Sequence, residues 1–489
     1  MRFVNDISKF AGVMCLISAW STNTCSATCG AVSVVFDFAT EQGVVKPLHG
    51  VNNAPMRLNG KQDEFMIAGI PYVRTHDTAA MWGGAHYVDI PNVFPDFNAD
   101  ETDSASYDFA FTDAYLKPIV KAGCKIFYRL GVTIENYWKV KAYNIHPPTD
   151  FAKWARICEH VVRHYNEGWA DGFNWNIEYW EIWNEPENPP MWQGTKEQFF
   201  ELYRVTANHL KKTFPSIKVG GYAGCGFYVI DDTKKRESSE FYRSFVTWFE
   251  DFCRYVQTSE TKAPLDFFSW HLYVGQDWPV DRIATHAAYV RKTLDAAGLT
   301  KTENVFNEWN VFRGPKADQF DTIKTYVGAA NTAAAFCLMQ TSSIDKAMYY
   351  DALPTRSYCG LFYFPSYRTT PCYEAFRAWN ELAKLGTSVL ATVEGKAVYA
   401  AAAKGGEKKT FLIVNVGDSA ARVSICAEGA PYSLYRLDAD HARLTTDGQW
   451  TTNSITIPAN GLVLALSGAV IEGVEKAGVK QGAVNGLQQ

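Results

Sequence analysis

The chain has 489 residues, a formal net charge of −5, 47% hydrophobic and 20% charged residues, the balance of a soluble globular protein too long for one ordinary core. No long run of Lys or Arg is present to neutralise phosphates, which excludes a nucleic acid partner. Aromatic residues reach 15%, with 15 Trp and 26 Tyr; carbohydrate recognition is one use for such flat apolar faces with polar edges.

Taken in chain order, Arg2 and Lys9 precede an apolar stretch from Phe10 to Trp20, followed by small residues at Ser26 and Ala27. This pattern predicts a secretory signal peptide over residues 1–28, and hence a secreted or periplasmic protein. The stretch is too short to span a bilayer, and neither Cys25 nor Cys29 follows a convincing lipidation sequence. From residue 45 to 385 one rhythm repeats, a short β-branched or aromatic run followed by a longer stretch of helical periodicity. The predicted strands are Val45 to Asn53, Tyr72 to Asp77, Lys125 to Gly131, Tyr179 to Pro186, Lys218 to Gly224, Asp266 to Tyr273, Asn304 to Asn310 and Lys346 to Ala352. Helices are predicted at Asp150 to Tyr165, Lys196 to Thr213, Phe241 to Tyr255, Asp281 to Ala297 and Asp321 to Thr341, with Thr195 and Gln198 spaced as a capping box. The fold class is therefore α/β, a (β/α)8 TIM barrel.

Beyond residue 386 helical signals stop and strand-like runs alternate with Gly, Asp and Asn turns. Residues 386–470, joined by a strand from residues 30–40 (Ala31 to Phe38), predict an accessory β-sandwich, and residues 471–489 a loose tail. Of the 11 Cys, Cys359 and Cys372 flank one loop and are the candidate disulfide for an exported protein. No CxxC pair is present, and His160 and His164, four apart on a helix, are not part of HExxH, so no metal and no cofactor is expected.

Active sites of such barrels sit at the C-terminal ends of the strands. The fourth strand ends WNEP, bringing Asn184 and Glu185 to that rim, and the seventh ends NEWN, bringing Glu308 to the same rim nearly opposite. Glycosidic cleavage needs this pairing: one carboxyl group protonates the departing oxygen and the other attacks the anomeric carbon, with a separation of about 5–5.5 Å giving retention. Glu185 is expected to be the general acid/base, its pKa raised by apolar neighbours among Trp180, Trp183 and Trp192. Glu308 is expected to be the nucleophile, kept ionised by Arg74 at the end of the second strand.

The runs WEIWNEPENPPMW, FFSWHLY and NVFNEWN, in that order, resemble glycoside hydrolase family 39 among the clan A barrels, whose members include β-xylosidases and α-L-iduronidases. The resemblance covers roughly residues 45 to 470 and implies Glu185 as acid/base, Glu308 as nucleophile, Asn184 on the sugar 2-hydroxyl, and His76, His271 and Tyr273 lining the sugar subsite. Where xylosidases of the family carry a Trp and then acidic residues, this chain reads MYYDALPTRSYCGLF. Tyr350 and Asp351 take those places, and Arg356 follows as a candidate for a uronate carboxylate. The substrate expected is an oligosaccharide or polysaccharide, cleaved from its end. An endo-acting glycanase of another clan A family and a non-hydrolytic carbohydrate-binding barrel are the alternatives. The long Gly-, Pro- and Asp-rich loop from Trp82 to Asp108 favours a pocket over an open cleft.

Overall fold

The computed structural model describes residues 32–55, 61–76, 87–133, 145–428, 431–468 and 471. The predicted leader, most of the predicted tail, Asp77 and the start of the Trp82 to Asp108 loop lie outside the described residues. Strand β1 (Val32–Val44) precedes the barrel. The barrel strands are β2 (Gly50–Asn52), β3 (Tyr72–Thr75), β4 (Lys125–Leu130), β5 (Tyr179–Ile182), β6 (Lys218–Gly224), β7 (Phe267–Val274), β8 (Glu303–Val311) and β9 (Lys346–Tyr349). All pair in parallel and in chain order, and β9 closes onto β2.

The outer helices form where periodicity and caps direct them. Asp150 accepts the backbone N–H of Lys153 to start the helix Phe151–Glu167, and Gly168 ends it at φ 74°. Thr195 and Gln198 make the full capping box of the helix Lys196–Thr213. The stretch expected as one helix from Asp321 is two, Gln319–Thr322 and Tyr326–Thr341, because Thr325 takes an extended conformation and caps the second.

The barrel interior is layered by strand alternation. Its lowest layer is apolar: Tyr72, Phe127, Tyr179, Phe267, Val305 and Met348, one from each of six strands. Gly220 leaves this layer room, since a Cβ there would lie 2.1 Å from the Phe267 carbonyl oxygen. Two residues further along their strands stand Arg74, Arg129, Glu181, Ser269 and Asn307, all fully buried, so the second layer is polar and charged.

The remaining strands are β10 (Thr387–Glu394), β11 (Val398–Gly405), β12 (Lys408–Asn415), β13 (Ala421–Ala427), β14 (Tyr432–Asp438), β15 (His441–Trp450), β16 (Ser454–Ile457) and β17 (Gly461–Ser467). Together with β1, inserted between β10 and β13, they form one nine-stranded sheet rather than two separate ones. The expected sandwich arises because this sheet curls. β1 and β12 are three strand positions apart, roughly 14 Å if flat, yet the rings of Phe36 and Phe411 stack at 4.5 Å. Alternation along the central strands buries both faces. In β12 and β17, Phe411, Ile413, Val463 and Ala465 fill the curl, while Leu412, Val414, Leu462, Leu464 and Leu466 join the barrel's own core. The sheet covers the helix Tyr326–Thr341, which is accordingly buried nearly all round.

The candidate disulfide is absent: Cys359 and Cys372 are both free and fully buried thiols. Burial pushes Cys359 up to about 12 and Cys372 to about 11, which keeps them protonated. Cys372 contacts the Thr332 hydroxyl at 3.5 Å instead.

Gly220→Ala tests the layered interior. The new methyl group meets backbone, which cannot rotate away, so the variant is expected to lose about 1–3 kcal/mol, read as a lower urea midpoint with an unchanged slope.

Candidate active site

A cavity of about 380 Å³ opens at the C-terminal end of the barrel, within the range of about 300–1,000 Å³ usual for ligand sites. Glu185, Glu308, Asn184, His76, His271, Tyr273 and Tyr350 all line it. A larger cavity, about 820 Å³, lies where loops after β7 and β8 meet the β-domain, and it contains neither of these carboxylates.

Two local irregularities aim the carboxylates. In β8, Val305 and Asn307 face inward, so strict alternation would turn Glu308 outward. A register shift there resets the strand, pairing Trp270 with Phe306 but His271 with Glu308, and the β8–β9 ladder shifts at the same place. Such a bulge re-aims the next side chain. Glu185 and Trp183, just past β5, both hold left-handed backbones, with φ of 46° and 74°. For non-glycine residues this costs of order 1–3 kcal/mol each and persists only where the surroundings enforce it. Here Trp183 donates its backbone N–H to Leu130 O and its indole N–H to Met191 O, and Glu185 N–H donates to Ala223 O.

The resulting geometry joins the two glutamates through one imidazole. His271 Nδ1 lies 2.7 Å from Glu185 Oε1 and its Nε2 lies 3.5 Å from Glu308 Oε2. One atom from each of the three residues falls within 4.8 Å of the other two, a closeness that suits direct attack and falls short of the wider separation used by inverting enzymes. Glu185 Oε2 also accepts from Asn188 at 2.8 Å. Glu308 accepts from the Tyr273 hydroxyl at 2.6 Å and from Arg74 at 3.1 Å. A cation held by this trio would have to compete with the donors that already occupy these oxygens.

Arg74 meets its expected partner but does not reach the cavity. It is fully buried beneath the carboxylates, donating to Glu181 at 2.8 Å, to Asn52 at 2.9 Å and to Asn184 at 2.6 Å besides Glu308. It is therefore a positioning residue and not a substrate contact.

The proton balance differs from the sequence expectation. Burial is the largest influence on Glu308 and raises it above its ordinary value, the Glu185 charge adding to the rise while His271, Arg74 and Tyr273 oppose it. Burial also raises Glu185, but its hydrogen bonds to His271 and Asn188 outweigh that and bring it below its ordinary value. Two of the expected apolar neighbours are elsewhere. Trp180 faces outward from β5 and stacks on Tyr128 at 5.0 Å, while Trp192 donates to Thr195 O and packs edge-on against Trp183.

Trp192 is thus a core residue and does not line the cavity. Asp351 is buried outside the lining and takes the Asn53 amide at 3.4 Å. Arg356 is exposed and likewise absent from the lining. Residues that the sequence reading missed are Asn188, Met191, Cys225, Tyr228, Phe241, Tyr242, Phe245 and Tyr358. A further one is Glu181, whose position in the middle of a buried strand was a legible signal.

The sequence profile described as glycosyl hydrolases family 39 matches residues 66–310, half of the chain. The chain belongs to family 39 of the glycosyl hydrolases. Among curated relatives, a β-xylosidase of Geobacillus stearothermophilus is 27% identical over 220 residues, covering 42% of this chain and 37% of that enzyme. The matched stretch is thus little more than a third of that relative's length. Among solved structures, a glucosidase from Croceicoccus marinus superposes with a TM-score of 0.70 at 24% identity, covering 89% of this chain and 98% of that one. A family 39 enzyme from Xanthomonas axonopodis pv. citri gives a TM-score of 0.62 at 18% identity, covering 89% and 96%. These likenesses carry the fold, including the trailing sheet.

Arg74→Met leaves Glu181 as a buried, uncompensated charge and is expected to destabilise the protein by about 3–5 kcal/mol. Adding Glu181→Met should recover much of that loss in the same urea titration, whereas strictly additive losses would place the network's importance elsewhere.

Proposed function

We propose that this protein is a retaining, exo-acting glycosidase of the β-xylosidase kind, removing terminal sugars from oligosaccharides or polysaccharides by double displacement. The observation that carries the reading is the pair of carboxylates, Glu185 and Glu308, lining one cavity with an oxygen of each within 4.8 Å of the other. The curated β-xylosidase relatives support the substrate class.

Glu308 attacks the anomeric carbon as Glu185 gives its proton to the leaving oxygen, forming a glycosyl ester and a free alcohol. Glu185 then takes a proton from water, which displaces Glu308 and restores both groups. Arg74 and the Tyr273 hydroxyl hold the attacking carboxylate in place. Asn184, its oxygen fixed by Arg74, leaves its amide N–H groups for a sugar hydroxyl at the cavity wall. The reactive state carries one proton on the pair, located on Glu185. Since both carboxylates contact one imidazole, the pH limbs of activity are expected to belong to the pair and not to either residue alone. Export, supported by the leader pattern of residues 1–28, is part of the same proposal; N-terminal sequencing of the protein recovered from its native host would test it.

Replacing each glutamate separates the roles. Glu308→Ala is expected to turn over no substrate. Glu185→Ala should release a burst of phenol from an activated aryl glycoside and then stall, with azide restoring turnover and giving a glycosyl azide of retained configuration. A burst in Glu308→Ala, or an inverted azide product from Glu185→Ala, would overturn the mechanism. A panel of aryl glycosides starting with the β-D-xyloside identifies the sugar.

The pH profile offers a separate check. The Tyr273 hydroxyl acts to lower Glu308, so Tyr273→Phe raises that pKa, and the nucleophile loses its charge at a higher pH than in the parent. The acidic limb of kcat/KM is expected to move upward; a downward shift would contradict the role given to Tyr273.

A further inference from the structure

The cavity has two halves that the barrel order separates. Tyr273, near the end of β7, and Tyr350 and Tyr358, after β9, flank Glu308, whereas Asn188, Met191, Cys225, Tyr228, Phe241, Tyr242 and Phe245 follow β5 and β6 and flank Glu185. Resting on the glycosidase reading, in which the bond to the leaving group breaks beside Glu185, we propose that this second half is the leaving-group subsite. Its platform is the aromatic cluster at the start of the helix Glu240–Tyr255, with Phe241 as the residue that selects the leaving group.

The cluster is built to present a ring. Phe245 is 2% exposed and anchors it, Phe241 stands edge-on against Phe245 at 4.7 Å and against Tyr242 at 5.3 Å, and Phe241 remains 45% exposed. Lys235 lies over the rings of both Tyr242 and Tyr228, at 4.7 and 4.5 Å, tying the helix start to the loop after β6. An exposed Phe backed by other rings at the mouth of a cavity offers its face to a flat apolar ligand. Apart from Glu185 itself, no described residue lining this half carries a charge. The ligand it fits is therefore an uncharged ring with an apolar face, supplied either by a second sugar or by an aryl group.

The test compares three substrates that share the cleaved sugar: the glycosyl fluoride, whose leaving group is a single atom, the 4-nitrophenyl glycoside and the disaccharide. These are β-D-xylosyl fluoride, 4-nitrophenyl β-D-xyloside and xylobiose, or the same trio on the sugar the panel selects. In Phe241→Ala, kcat/KM for the ring-bearing substrates relative to the fluoride is expected to fall by about tenfold, the size of a lost ring contact. Phe241→Trp should keep the ratio and Phe241→Leu should lose it, which separates a stacking role from mere bulk. A fall for only one of the two ring substrates upholds the platform and identifies its ligand. An unchanged ratio, or equal losses for all three substrates, overturns the proposal. If the parent enzyme cleaves none of the three on any sugar, the glycosidase reading itself fails.

Discussion

The buried guanidinium of Arg74 is the interaction on which the site depends. An α/β barrel normally fills its centre with branched apolar side chains, and here the lowest layer is packed mostly with aromatic rings instead. One layer higher, Arg74 touches Asn52 from β2, Glu181 from β5, Asn184 just beyond it, and Glu308 from β8. A planar group with donors in a fixed fork can hold these positions at once, which a Lys could not. Its charge is met by Glu181, which is as buried as Arg74 and takes a further hydrogen bond from Asn307 at 2.5 Å, and by Glu308. The barrel thus exchanges apolar packing for a polar floor that holds Glu308 directly, while Glu185 is fixed by His271 and Asn188.

Precision at the rim has a local cost. The bulge that aims Glu308 breaks two ladders, and the left-handed backbone at Glu185 stores strain in the very residue assigned to proton transfer. Neither would survive on a mobile loop. Trp183, locked between β4 and Met191, and Gly131, where any Cβ would meet the Trp183 ring at 2.9 Å, show how closely the surroundings enforce the turn. His271 completes the arrangement. By contacting both carboxylates it couples their protonation, so the pair behaves as one titrating unit.

The curled sheet serves the barrel from outside. Its one face seals the outer side of the helix Tyr326–Thr341, whose other sides pack on the barrel and its neighbouring helices, and its other face closes on itself around Phe36, Phe411, Tyr432 and Trp450. The strand before the barrel is placed in the middle of this sheet, so both ends of the described chain are fastened to the same domain. Removal of either end would leave unpaired strand edges.

Periodicity, caps and strand-end motifs were legible in the sequence because they are local. The eight strands, the helix starts at Asp150 and Thr195, the sheet strand near Phe36, and the identity of Glu185, Glu308 and Arg74 as one group follow from spacing within short windows and from the rule that barrel chemistry sits at strand ends. What only the tertiary structure decided is whatever depends on direction and long-range contact. Trp192 and Asp351 have rim positions in the sequence, but their side chains turn into the core, where a carbonyl and an amide meet them. Cys359 and Cys372 flank one loop and yet remain separate thiols. The aromatic wall of Phe241, Tyr242 and Phe245 has the same helical pattern as any buried face, and only the closure of the barrel turns part of it toward Glu185. The ordering of the two carboxyl groups was likewise beyond spacing rules, because it rests on a histidine from a third strand lying between them.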